Sequence, residues 1–141
     1  MAHGYKDLIA WQKAKRLAVA VYSATSGFPR CETFGLVAQL RRCAVSVVSN
    51  IAEGQGRNTV GEFIQFLGHG RGSLLELQTQ LEISFDLKYL SDASYRALEQ
   101  LSGDVLGLIN RLIEALARPT DHAVAKQRET RNLKRETLKA R

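Results

Sequence analysis

Apolar residues recur along this chain at spacings of three and four, the period of an α-helix. A first segment, about Leu8 to Ser26, sets Leu8, Trp11, Leu17, Ala18, Val21 and Tyr22 near one face, with Asp7 as the expected N-cap. Gly27, Phe28 and Pro29 end it, because Pro29 biases Phe28 away from helical geometry. A second segment, about Phe34 to Glu53, carries Leu36, Val37, Leu40, Cys43, Ala44, Val47, Val48 and Ile51 on a stripe that repeats every seven residues. Its β-branched Val45, Val47, Val48 and Ile51 would also suit a strand; the repeat and the flanking arginines decide for helix.

Gly54-Gln55-Gly56-Arg57-Asn58 supplies C-terminal glycines, and Thr59-Val60-Gly61-Glu62 reads as a capping box, the threonine covering early amides and the glutamate reaching back. The third helix is expected from about Val60 to Leu87, with Phe63, Phe66, Leu67, Leu74, Leu77, Leu81 and Phe85 inward. Gly68, Gly70 and Gly72 fall inside it, each costing about 0.5–1 kcal/mol relative to alanine. Close approach of a neighbouring helix or a local bend would account for them. A phosphate-cradling loop is the alternative, although neither GxGxxG nor a P-loop is present.

Ser91 or Asp92 caps a fourth helix, about Ala93 to Ala117, in which Leu98, Leu101, Val105, Leu108 and Leu112 form a heptad stripe. A second stripe of Val105, Leu106, Ile109, Leu112, Ile113 and Leu116 widens its apolar face beyond one bundle seam. Surplus apolar surface marks association, so Leu106, Ile109, Ile113 and Leu116 are the expected subunit interface; a fourth helix sunk deep in its own core is the alternative. The pattern as a whole predicts an all-α, antiparallel up-and-down four-helix bundle in residues 1–117. Residues 118–141 follow as a basic C-terminal tail, disordered or a weakly held helical extension.

Composition refines this picture mainly through charge. The chain has 141 residues and a net charge of +6, but residues 1–117 hold twelve Lys and Arg against eleven Asp and Glu, whereas 118–141 hold eight against three. The body is nearly neutral, so the case for an anionic partner rests on the tail cations Arg118, Lys126, Arg128, Arg131, Lys134, Arg135, Lys139 and Arg141. No apolar run is long enough for a signal peptide or membrane span, which predicts a cytoplasmic protein.

Catalytic chemistry finds little support. A di-metal bundle site needs Glu-x-x-His pairs, and His3, His69 and His122 form none. Cys31 and Cys43 stand twelve apart without a CxxC and read as small hydrophobes. No nucleophile elbow is present, so neither catalytic residues, metal nor cofactor are expected. Arg41, Arg42, Arg57 and Arg71 lie near Glu53, Glu76 and Glu82; they read as interhelical partners or, alternatively, as an anion-binding patch.

In order along the chain stand Trp11-Gln12-Lys13-Ala14, Phe28-Pro29, Gln39-Leu40-Arg41-Arg42, Ser49-Asn50-Ile51-Ala52-Glu53-Gly54, Glu62-Phe63, Phe66-Leu67, Arg71-Gly72-Ser73, Glu76-Leu77 and Gln80-Leu81. This series resembles the bacterial four-helix bundle family first noticed as reading frames in the intervening sequences of 23S ribosomal RNA genes. The resemblance is strong over residues 8 to 90 and looser in the fourth helix. The same family includes the accessory variability proteins of diversity-generating retroelements, five-subunit barrels that associate with a reverse transcriptase and nucleic acid. The resemblance thus implies a ring-like homo-oligomer, a homopentamer; where relatives often have an alanine-like helix around the Arg-Gly-Ser motif, this chain departs with Gly68-His69-Gly70, which leaves the local helix geometry open.

Together these readings lead to an expected function: a non-catalytic protein that binds RNA, or DNA, through backbone phosphates without base specificity. Five tails would present about 25 net positive charges. The alternative is a scaffold that docks a nucleic-acid enzyme such as a reverse transcriptase.

Overall fold

The computed structural model describes residues 4–119 and 121–140, the side chains of 121–127 excepted. Every regular element among them is helical: α1 (Ile9–Thr25), α2 (Leu36–Gln55), α3 (Val60–Asp86), α4 (Asp92–Ala117) and α5 (Asp121–Lys139), with short 3-10 turns at Tyr5–Asp7 and Arg30–Glu32. Helices α1 to α4 pack in cyclic order, each on its chain neighbours and α1 on α4. Their partners run in opposite directions. Along α2 and α3, Cys43 meets Glu76, Ser46 meets Ser73, Asn50 meets Gly70 and Gly54 meets Phe66. Along α3 and α4, Arg71 bonds Asn110, Gln78 bonds Ser102 and Phe85 stacks on Tyr95. Adjacent helices are antiparallel, and the four enclose one core.

That core is built from Ala10, Ala14, Leu17 and Val21 of α1, Leu40, Val47 and Ile51 of α2, Leu67, Leu74, Leu77 and Leu81 of α3, and Leu98, Val105 and Ile109 of α4. Burying each large aliphatic contributes about 1.5–3 kcal/mol, far more than any helix propensity here. On α4 the buried line is Leu98, Ser102, Val105 and Ile109, between the two stripes expected from the sequence. The reason is that α4 packs on α3 with one flank and on α1 with the other, so Leu101, Leu108 and Leu112 are only half-buried.

The ends show which local signals operate. Thr59 Oγ1 accepts from the Glu62 amide at 3.2 Å and Ser91 Oγ from the Ser94 amide at 3.1 Å, so Ser91 and not Asp92 is the cap of α4. Asp7 is not the cap of α1: it lies in the preceding 3-10 turn, and Leu8 occupies the N-cap without a side-chain bond. Phe34 precedes α2 and is 95% exposed. Helix α3 ends with Lys88 in the left-handed region (φ 65°), its amide donating to the Phe85 carbonyl and that of Tyr89 to Ser84. This is a Schellman closure made without the usual glycine.

The glycines divide by position. Gly54 is not a terminator. It is buried within α2, where a Cβ would lie 2.8 Å from Phe66 Cβ, so its bareness brings α2 and α3 together. Gly56 ends α2 in right-handed geometry. Helix α3 runs unbroken through Gly68, Gly70 and Gly72; only Gly70 faces α2, while Gly68 and Gly72 look into open space.

Candidate nucleic-acid interface

The tail expected to be disordered or weakly held is helix α5, which follows Arg118 and Pro119. Among the described residues it makes no contact with the bundle, and every side chain from Arg128 to Ala140 is exposed. Arg128, Arg131, Lys134, Arg135 and Lys139 therefore all reach outward, as does Arg118 at the C-cap of α4. The Lys126 side chain and Arg141 lie outside the described residues.

Arg41, Arg42, Arg57 and Arg71 of the body each make a contact within the bundle. Arg41 donates to Thr25 Oγ1 at 3.0 Å and lies over the Tyr22 ring at 4.5 Å, on the α1 seam. Arg42 reaches Gln39 and, at 3.9 Å, Glu76 of α3. Arg57 covers the Phe66 ring at 4.5 Å, and Arg71 donates to Asn110 of α4 at 3.1 Å. These four arginines serve four different contacts, as interhelical and local partners. Around Tyr95 the α3–α4 seam is acidic instead. Burial first, then Glu99, Glu82 and Asp86, push the Tyr95 hydroxyl above its ordinary value, and such a surface repels phosphate.

Cys43 donates its thiol to Glu76 Oε2 at 2.9 Å, and burial, reinforced by that carboxylate, raises it to about 11. A thiol held there stays protonated at neutral pH and is a poor nucleophile. Among the described residues no group of His, Cys, Asp and Glu could hold a metal ion, and no helix is long and apolar enough to cross a membrane.

Of the expected interface residues, Leu106, Ile113 and Leu116 are half-buried and keep surface to offer. Ile109 is corrected: it is fully enclosed by its own protomer and has none. The sequence reading grouped the tail cations as one set and missed their division into faces. The signal was present in the spacing of three, four and four that links Arg128, Arg131, Arg135 and Lys139.

A closed antiparallel bundle whose inner polar residues tie helix to helix, followed by a projecting cationic helix, defines the class: a small helical-bundle protein, nearly neutral in its body, with an excess of positive charge on an appended element. The chain belongs to the 23S rRNA-intervening sequence protein family, whose profile matches residues 6–111. Helix α5 lies outside that match. A crystal structure of a protein of unknown function from the S23 ribosomal protein family of Bacteroides thetaiotaomicron is similar, with a TM-score of 0.68 and 20% identity over 74% of this chain and 98% of that one. No curated protein matches.

Proposed function

We propose that the protein is a non-catalytic, cytoplasmic RNA-binding protein that works as a ring-like homo-oligomer and takes its ligand by the phosphate backbone. The observation that carries this reading is α5, a helix whose described cations all face solvent and whose packing serves nothing in the bundle. Multiplied by a homopentamer, such helices engage one RNA at several points, and linked contacts bind far more tightly than each alone. The half-exposed Leu106, Ile113 and Leu116 supply apolar surface for the association.

The test is fluorescence-anisotropy binding of labelled RNA to the full chain and to a chain ending at Ala117, after light scattering has established each mass against the 15.7 kDa protomer. The shorter chain retains every buried core residue, and far-UV circular dichroism checks that it is folded. Binding by the full chain and none by the shorter one is expected; equal binding by both overturns the role of α5.

A second reading, a scaffold that docks a protein such as a reverse transcriptase, draws on apolar side chains left outside the bundle: Phe34 at 95% exposure, Val19 at 63% and Ile9 at 61%. A partner protein retained after nuclease digestion would favour it.

A further inference from the structure

Helix α5 is two-faced in charge. At 3.6 residues per turn, Arg128, Arg131, Arg135 and Lys139 fall within about 80° of its circumference. They form a line about 16 Å long, with roughly one cation per turn. Glu129 and Glu136 lie together on a flank about 100–120° from the centre of that line, Lys134 lies about 100° from it on the other flank, and Leu133 lies nearly opposite it. The arrangement works against the isolated helix. Arg131, Arg135 and Lys139 are like charges four apart, and each such pair costs about 0.2–0.5 kcal/mol, offset only in part by Glu136 three residues before Lys139. A helix that concentrates its repulsion on one side, with no core to hold it, is arranged for an external row of anions.

The form of that anion follows from what α5 lacks. Residues 118–141 contain no Phe, Tyr or Trp. Proteins that hold single strands rely on aromatic platforms, worth about 1–3 kcal/mol per stacked base, to offset the ordering of a flexible chain. Helix α5 offers none, and its charges keep a fixed spacing that suits phosphates already fixed in a duplex. The acidic flank narrows the geometry further. A helix sunk in a major groove faces phosphate ridges on both sides, and Glu129 and Glu136 would meet one of them; the A-form major groove is in any case too narrow to admit it.

We infer that α5 binds double-stranded RNA from outside, laying Arg128, Arg131, Arg135 and Lys139 along one phosphate ridge and holding Glu129 and Glu136 away from it. This rests on the reading that α5 carries the RNA contact. It commits further, to duplex over single strand and to one face of the helix.

The experiment uses the full chain and measures anisotropy with a labelled RNA duplex, the corresponding single strand and a DNA duplex of equal length at about 0.1 M salt. Three variants accompany it: Arg131→Gln with Arg135→Gln, the same pair changed to Lys, and Glu129→Gln with Glu136→Gln. Glutamine and lysine keep helix propensity close to that of arginine, and far-UV circular dichroism checks that α5 persists. The duplex is expected to bind at least 10-fold more tightly than the single strand. The Gln pair should weaken duplex binding by roughly 10-fold or more and flatten its salt dependence by about two contacts, the Lys pair should restore it, and the Glu pair should change it by less than about 3-fold. Equal or tighter binding of the single strand, preference for the DNA duplex, or equal effects of stripe and flank changes would overturn the inference while leaving RNA binding by α5 intact. Absence of binding to any nucleic acid would remove the functional reading beneath it as well.

Discussion

Replacing Gly54 with alanine adds one methyl group where α2 and α3 approach most closely. The new Cβ would lie 2.8 Å from Phe66 Cβ, 3.1 Å from Phe63 Cδ1 and 3.3 Å from the Phe63 carbonyl oxygen. Carbon atoms pack comfortably at about 3.5–4.0 Å, so the neighbours must yield by roughly 0.7 Å. A Cβ and a carbonyl oxygen cannot rotate aside; the helices themselves must part. Overpacking of this kind costs about 1–3 kcal/mol, and removing a helical glycine offsets about 0.5–1 kcal/mol of it. The expected net loss is about 1–2 kcal/mol, or roughly 3–8 °C in Tm for a chain of this size. Gly72→Ala is the matched control, because nothing lies within 4 Å of its added methyl. It should stabilise by about 0.5–1 kcal/mol. Gly70→Ala, meeting Asn50 Cβ at 3.4 Å and the Val47 carbonyl at 3.5 Å, should fall between the two. Urea and thermal unfolding followed by far-UV circular dichroism measure all three. A Gly54→Ala protein as stable as the Gly72→Ala protein would refute the close approach of α2 and α3.

The remaining predictions concern ends and thiols. Lys88→Gly should stabilise the protein by on the order of 1 kcal/mol, since a left-handed conformation is costly for lysine and free of that cost for glycine; chemical denaturation reads the gain. Ser91→Ala removes the cap of α4 and should cost about 1 kcal/mol in the same assay. At neutral pH a thiol reagent should modify exposed Cys31 quickly and buried Cys43 only on unfolding, which mass spectrometry resolves. Because folding raises the Cys43 thiol from 9.0 to about 11, the unfolded chain releases that proton first as pH rises. Its stabilising contribution is complete below about pH 9 and declines towards pH 11, and stability curves of Cys43→Ala should show a smaller decline across that window.

Helix periodicity made the bundle legible because large aliphatics such as Leu40, Val47, Leu74 and Leu81 mark their own faces. Thr59 and Ser91 announced two helix starts through chemistry that is local. What escaped the sequence depends on partners distant in the chain. Ala10 and Ala14 are core residues by virtue of their small size, and Tyr22, expected inside, is 45% exposed beneath Arg41. Gly54 looked like a helix end, although its role is set by Phe63 and Phe66 on the next helix. Ile109 looked like interface because a stripe on one helix does not say where two neighbouring helices will meet over it. Basic composition identified the tail. Its division into a cationic line and an acidic flank became apparent only once α5 was known to be a continuous helix.

The most direct test of the account is the salt dependence of RNA-duplex binding by the full chain. If the four stripe cations of α5 each release a counterion, the logarithm of the association constant should fall against the logarithm of salt concentration with a slope of about −3 to −4 for one engaged helix, steeper when several engage. The chain ending at Ala117 should show no such binding. A shallow slope in the full chain, or the same slope in both chains, would contradict the assignment of α5 as the phosphate-contacting element.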